Sequence, residues 1–211
     1  EAVSETDAPY LLFLNDDVSV ITADWLGALL EHLQRPEVGI VGALLRYPDD
    51  TIQHAGIVVG LFNCCGQAFR GLPDEECYMG LHGMTRNVSA VTGACLLTRR
   101  EQFVAFGGFD QTNLPIAFQD VDLCLRYREK GYLVVYTPFA ELYHDESASK
   151  SESEKIAGLP EIEYMRKRWP DYIANDPYYG PNLTRESESY ALRLEIATLR
   201  FLNLERGSDT P

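Results

Sequence analysis

The 211-residue chain is 45% hydrophobic and 24% charged, a balance typical of one globular domain with a substantial core. Its 32 acidic and 18 basic residues give a formal charge of −14, which repels phosphate backbones and disfavours a nucleic-acid partner. No apolar run in this sequence approaches the roughly 20 residues that a bilayer-spanning helix needs.

The five cysteines are odd in number and lack CxxC spacing, which disfavours a disulfide framework. A zinc cluster of Cys64, Cys65, Cys77 and His82 stays open, but reduced thiols are the simpler interpretation. We therefore expect a cytoplasmic protein, either free or peripherally bound at the inner face of the membrane.

The first half of the chain predicts strands that alternate with a helix. The apolar run from Tyr10 to Leu14 is typical of a buried strand and ends abruptly at Asn15-Asp16-Asp17. In chain order there follow a helix from Ala23 to Leu33 that Pro36 ends, strands Val38 to Leu45 and Ile52 to Leu61, and an irregular excursion from Asn63 to Arg86.

The second half continues the alternation and ends in turns and a helix. The patterns first predict a strand from Val88 to Thr98, a helix from Arg99 to Phe106 closed by Gly107-Gly108, and a helix from Asp120 to Lys130. A strand from Tyr132 to Tyr136, which Pro138 stops, and a solvated loop from Asp145 to Lys155 come next. The chain then continues with a helix from Glu161 to Trp169, turns from Asp176 to Thr184, and a long helix from Glu186 to Glu205.

This order predicts an α/β fold with a mostly parallel, mixed sheet. Ligands of such sheets bind at the carboxyl ends of strands, which is where Asn15-Asp16-Asp17 lies. We assign residues 1–184 to one catalytic region and residues 185–211 to a C-terminal helix and tail.

The acid pair Asp16-Asp17 is the first candidate site. A carboxylate there can hold Mg²⁺ or Mn²⁺, hard cations that often bridge substrate phosphates and reverse the local sign of an acidic surface. The same three residues also make a good turn, and without other evidence the turn is the better interpretation.

Asp120 and Asp122 lie in the first turn of a predicted helix, where the helix dipole favours acids for purely structural reasons. The same field keeps Asp120 ionised and able to accept a proton from an attacking hydroxyl. We favour Asp120 for chemistry and a structural role for Asp122.

His144 follows the predicted strand Tyr132 to Tyr136. A lone histidine is more often a hydrogen-bonded structural residue than a ligand. Imidazole nitrogen nevertheless suits Mn²⁺, which accepts mixed nitrogen and oxygen ligands.

Five ordered segments together resemble glycosyltransferase family 2, especially its bacterial rhamnosyltransferase-like members. They are YLLFLNDD, VTGACLLTRR, GGFD, FQDVDLCLRYREKGYLVVYTP and the histidine of ELYHDES, within a match from Tyr10 to Thr184. The resemblance implies the Rossmann-like GT-A fold and inverting transfer of a sugar from a nucleotide-sugar donor to a glycan or lipid-linked hydroxyl acceptor, in cell-surface polysaccharide synthesis.

The resemblance also implies residue roles. Asp17 and His144 match the metal-binding acid and the late metal-contacting histidine, with Mg²⁺ or Mn²⁺ as cofactor. Asp120 matches the catalytic base, and Asp16 the acid beside the donor. Thr92, Gly93 and Ala94 match a segment near sugar and acceptor.

Two departures from the family pattern bear on activity. Gln119 stands where the family usually has Glu before the base, which removes one charge. Only nine residues precede Tyr10, whereas the family places its nucleotide-binding strands there. We therefore expect poor activity from this piece alone, and self-association through an exposed sheet edge or the C-terminal helix.

Two rival functions remain open. A glycoside hydrolase with Asp17 and Asp120 as paired carboxylates explains the acids but leaves His144 without a role. A carbohydrate-binding or assembly module that has lost catalysis gains some weight from Gln119 and from the missing N-terminal strands.

Overall fold

The computed structural model describes residues 2–145 and 160–193. Its strands are β1 (Tyr10–Leu14), β2 (Val18–Val20), β3 (Val38–Arg46), β4 (Ile52–His54), β5 (Ile57–Val59), β6 (Cys65–Gln67), β7 (Arg86–Val88), β8 (Cys95–Arg99) and β9 (Leu133–His144). Its α-helices are α1 (Trp25–Leu33), α2 (Arg100–Ala105), α3 (Gln119–Glu129), α4 (Pro160–Arg168) and α5 (Pro170–Ala174).

The central sheet has the strand order β1-β8-β3-β9-β2, with β4 paired to β3 and β7 paired to β9. Strands β3 and β9 pair in parallel at its centre, and the other pairings among the described strands are antiparallel. The predicted α/β class with a mixed sheet is confirmed, and its parallel component is the pair β3–β9.

Strand β3 is the middle of the core because its apolar residues face packed layers on both sides. Residues Val38 to Leu45 are all buried. One face of the sheet packs against α1, whose Leu29 and Leu33 are fully buried. The other face packs against α3 through residues such as Tyr127, whose hydroxyl hydrogen-bonds Thr98 Oγ1 of β8 over 2.8 Å. Strand burial on both faces explains the unbroken apolar run in the sequence.

Many predicted elements are confirmed to within one or two residues. The predicted strand from Ile52 to Leu61 is wrong, because it divides into β4 and β5, which belong to different sheets. The predicted strand from Val88 to Thr98 is wrong in its middle. Residues 89–94 form a non-strand connection between β7 and β8. In this connection the backbone N–H of Gly93 donates to Asp120 Oδ2 over 2.8 Å, and that of Ala94 donates to Thr92 Oγ1 over 3.3 Å. Side-chain acceptors thus replace the strand ladder at this connection.

Pro138 does not stop β9, contrary to the prediction. The parallel pairing with β3 jumps from Thr137 to Glu141, so residues 138–140 form an irregularity that tolerates a missing N–H. Phe139 is exposed in this irregularity. The strand then continues to His144, which places that histidine on the sheet.

The predicted terminal helix does not begin at Glu186. Residues 186–193 are turns and extended backbone, with Tyr190 in a left-handed conformation at φ 61° and a bridge between Leu183 and Leu192. Tyr190 is buried and stacks on Phe69 with ring centroids 4.4 Å apart. Tertiary packing therefore overrides helical periodicity here. Residues 194–205 of the predicted helix, and 146–155 of the predicted loop, lie outside the described residues.

Candidate active site

Asp17 and His144 come together because their strands pair. Val18 of β2 is opposite His144 of β9, and Asp145 N donates to Asp17 O over 3.1 Å. This register sets the Asp17 carboxylate Oδ1 3.0 Å from His144 Nε2. Two residues 127 positions apart in sequence thus share one end of the sheet, as the resemblance implied.

Gln53 fixes the orientation of the His144 ring. Its Nε2 donates to the backbone carbonyl of His144 over 3.3 Å, so its Oε1 faces His144 Nδ1 at 2.5 Å. Because that amide oxygen only accepts, Nδ1 carries the proton and donates. When the imidazole is neutral, the lone pair is therefore on Nε2, the nitrogen that faces Asp17.

The Asp17–His144 pair fits a divalent cation. It offers a carboxylate oxygen and an imidazole nitrogen, a donor set that Mn²⁺ accepts. Within residues 2–145 and 160–193, no group of three or more His, Cys, Asp or Glu side chains is arranged for a metal. This pair would therefore supply two ligands, and phosphate and water oxygens would complete the shell.

Asn15 lines the cleft at this point, and sequence reasoning gave it no role. Its Nδ2 is 3.1 Å from His144 Nε2. Asp16, to which the donor role was assigned, is exposed and is not among the residues that line the cleft. The Asn15 amide thus joins the Asp17 carboxylate beside His144 Nε2.

Asp120 lies in the first turn of α3 with its carboxylate held by backbone donors. Oδ2 accepts from Gly93 N and Oδ1 from Val121 N, both over 2.8 Å. Burial raises the pKa of the Asp120 carboxyl above its usual value, and the bonds from Gly93, Val121 and Thr92 offset part of that rise. Desolvation thus outweighs the local donors, whereas the sequence suggested a field that simply favours the ionised form.

A cleft of about 570 Å³ joins these groups. Its lining includes Asn15, His144, Thr92, Gly93, Ala94 and Asp120. The structure thus gathers most of the predicted residues around one opening. Asp17 does not line the cleft itself but contacts His144, which does. A volume in this range is ordinary for small-molecule sites.

Asp122 belongs to the core, as expected. It is 1% exposed and accepts from Trp169 Nε1 (2.9 Å) and Arg126 Nε (2.7 Å). Arg126 also donates to the carbonyl oxygens of Phe106 and Gly108. Asp122 thus ties α3 directly to Trp169, and it orients Arg126 of the same helix toward the turn after α2.

The alternative zinc cluster finds no support. All five cysteines are free thiols. Cys77 Sγ donates a hydrogen bond to the Pro73 carbonyl, whereas Cys64 and Cys65 line a cleft whose lining includes neither Cys77 nor His82.

No helix within the described residues is long and apolar enough to cross a membrane.

Comparison with known proteins gives relatives that are much longer than this chain. It is 45% identical over 196 residues to the uncharacterized protein y4gI of Sinorhizobium fredii and 39% identical over 202 residues to the O-antigen biosynthesis protein RfbC of Myxococcus xanthus. These matches cover 90% and 91% of the chain but 22% and 15% of the relatives. An N-acetylglucosaminyl-diphospho-decaprenol L-rhamnosyltransferase of Mycobacterium tuberculosis is 33% identical over 133 residues, 59% of this chain and 43% of that protein.

Among solved structures, GalNAc-T7 with UDP, GalNAc and Mn²⁺ superposes with a TM-score of 0.57 at 12% identity. The match covers 97% of this chain and 39% of that chain, and it shows the shared GT-A fold. The family model described as "Glycosyltransferase like family 2" matches residues 2–159. The chain therefore belongs to the family 2-like glycosyltransferases.

Proposed function

We propose that this chain carries the catalytic centre of an inverting glycosyltransferase, which moves a sugar from a nucleotide-diphosphate donor to a hydroxyl acceptor. The observation that carries the proposal is the approach of Asp17 to His144 beside the cleft that Asp120 lines. Two potential metal ligands and one potential base at a single opening match the needs of sugar transfer.

Asp17 and His144 would hold Mg²⁺ or Mn²⁺, which would neutralise charge on the departing nucleoside diphosphate. Because Nδ1 donates to Gln53, the neutral His144 ring presents its Nε2 lone pair toward Asp17 and Asn15, so the ring can act as a ligand. Thr92, Gly93 and Ala94 line the wall on which the sugar would rest. Asn15, whose Nδ2 is 3.1 Å from His144 Nε2, would contact the donor from the same side as the metal pair.

Asp120 would accept the proton of the acceptor hydroxyl as that oxygen attacks the anomeric carbon. The Gly93 and Val121 N–H groups fix the two carboxylate oxygens in place. Attack opposite the leaving diphosphate in one displacement inverts the anomeric configuration. Positioning of donor and acceptor supplies much of the acceleration.

The proposed setting is synthesis of cell-surface polysaccharide in the cytoplasm, with a deoxyhexosyl or hexosyl donor and a glycan or lipid-linked acceptor. The names of the Myxococcus and Mycobacterium relatives support this class of reaction.

The test is release of nucleoside diphosphate from UDP-, GDP- and dTDP-sugars by the full-length protein with Mn²⁺ and a panel of glycoside acceptors. We expect turnover with at least one donor, loss of turnover in EDTA, and a drop of about 10²–10⁴-fold in the Asp120→Asn variant. Turnover that survives EDTA would favour the two-carboxylate hydrolase. Unchanged turnover in the Asp120→Asn variant would mean that catalysis does not depend on this residue, which would favour a binding or assembly role for this chain.

A further inference from the structure

A second cleft, of about 550 Å³, adjoins the cleft beside His144 at Asp120. Asp120 and Phe118 line both this cleft and the one beside His144. A molecule in the second cleft can therefore present a hydroxyl to the Asp120 carboxylate while the first cleft is occupied.

Phe62 is the exposed aromatic side chain of the second cleft. It is 53% exposed although it carries a large apolar ring. Its backbone is left-handed, with φ 50° and ψ 30°, and Asn63 follows at φ 59°. Such a conformation is strained for a residue with a bulky side chain and persists only where the surroundings impose it.

The surroundings impose it through three neighbouring elements. Phe62 N donates to Arg185 O over 2.9 Å, and Arg166 Nε of α4 donates to Asn63 O over 2.9 Å. Gly60 precedes the turn at φ 103°, where an added Cβ would lie 2.5 Å from Ile173 O. The ring therefore stands on a fixed turn.

The charges that line the second cleft balance. Arg70 and Arg166 are basic, and Asp120 and Glu188 are acidic. Glu188 Oε1 accepts from Gln67 N over 2.6 Å, which holds that acid against β6. With Asp120 ionised the formal sum is zero, so the cleft has no excess of positive charge for a phosphate or carboxylate group.

We propose that Phe62 is the platform of an acceptor subsite for a neutral sugar, which stacks an apolar ring face on the phenyl group and turns a hydroxyl toward Asp120. The proposal deepens the proposed transferase function and rests on it. Exposed aromatic rings with polar groups around them suit a ligand of this mixed character. Phe62 would then determine acceptor specificity without touching the donor.

The test measures binding of neutral methyl glycosides and of methyl glucuronide to the full-length protein by saturation-transfer NMR. Phe62→Asn removes the ring but tolerates the left-handed backbone, and Phe62→Tyr keeps the ring. Phe139→Asn is the matched control, because Phe139 is an exposed phenylalanine that lines neither cleft.

We expect at least one neutral glycoside to bind, about tenfold more weakly to Phe62→Asn and unchanged to Phe62→Tyr and Phe139→Asn. Unchanged affinity in Phe62→Asn, preference for methyl glucuronide, or no glycoside bound by the parent would overturn the inference. Binding of Mn²⁺ and UDP is measured separately. If both bind while the glycoside results go against the subsite, the acceptor inference fails and the transferase proposal stands.

Discussion

At the scale of single residues, Gln53 has the clearest role that the sequence did not disclose. Its side chain donates to the His144 carbonyl and accepts from Nδ1 of the same residue, which fixes the tautomer that the proposed metal binding needs. The sequence singles out Asp17, His144 and Asp120 as candidates because they lie in ordered motifs. It does not single out Gln53, because its partner lies 91 positions away and only the fold brings the two together.

Replacing Gln53 should weaken metal binding. Gln53→Leu keeps much of the volume but removes the acceptor at Nδ1, so the His144 ring loses its fixed orientation. We expect Mn²⁺ affinity to fall by about 10–100-fold, measured by electron paramagnetic resonance. Gln34→Leu, at an exposed position, should bind as the parent does. Equal affinity in both variants would show that Gln53 does not position the ligand.

The pH dependence of transfer should report Asp120. Burial raises the pKa of this carboxyl, and a base works only when ionised. Activity should therefore be lost as pH falls through the raised pKa. The fall in kcat/KM should begin at a pH above the ordinary aspartate pKa of about 3.9. A profile that stays flat down to that value would show that desolvation does not control the base.

At the scale of elements, the sequence predicted where apolar runs become strands or helices but not where tertiary contacts change them. The strand β1 and the helix α3 follow from local patterns, since burial periodicity is visible in the residues themselves. The continuation of β9 past Pro138 depends on the register with β3. The extended segment at Tyr190 depends on a stack with Phe69, far away in sequence.

The contacts of Asp122 should make it a stability residue for α3. Asp122→Ala leaves the Arg126 guanidinium and the Trp169 indole N–H without their buried acceptor. We expect a loss of about 3 kcal/mol in the free energy of unfolding, measured by urea denaturation. Glu163→Ala removes one partner of the exposed Lys167 ion pair and should cost less than about 1 kcal/mol. Similar losses in the two variants would contradict the structural role.

At the scale of the whole molecule, the formal charge of −14 opposes a phosphate-bearing ligand. Nucleotide binding should therefore depend on the cation. We expect UDP or another nucleoside diphosphate to bind at least about tenfold more tightly with Mn²⁺ than in EDTA, measured by calorimetry. Equal affinity in the two conditions would mean that protein side chains alone offset the charge.

The central claim is that Asp17 and His144, distant in sequence, jointly hold one divalent cation. Its most direct test is Mn²⁺ titration, followed by electron paramagnetic resonance, of the parent, Asp17→Asn, His144→Leu and the double variant. We predict that each single variant loses at least about tenfold in affinity, that the double variant is little worse than either, and that Asp120→Asn binds as the parent does. Parent-like Mn²⁺ affinity in both single variants would contradict the account.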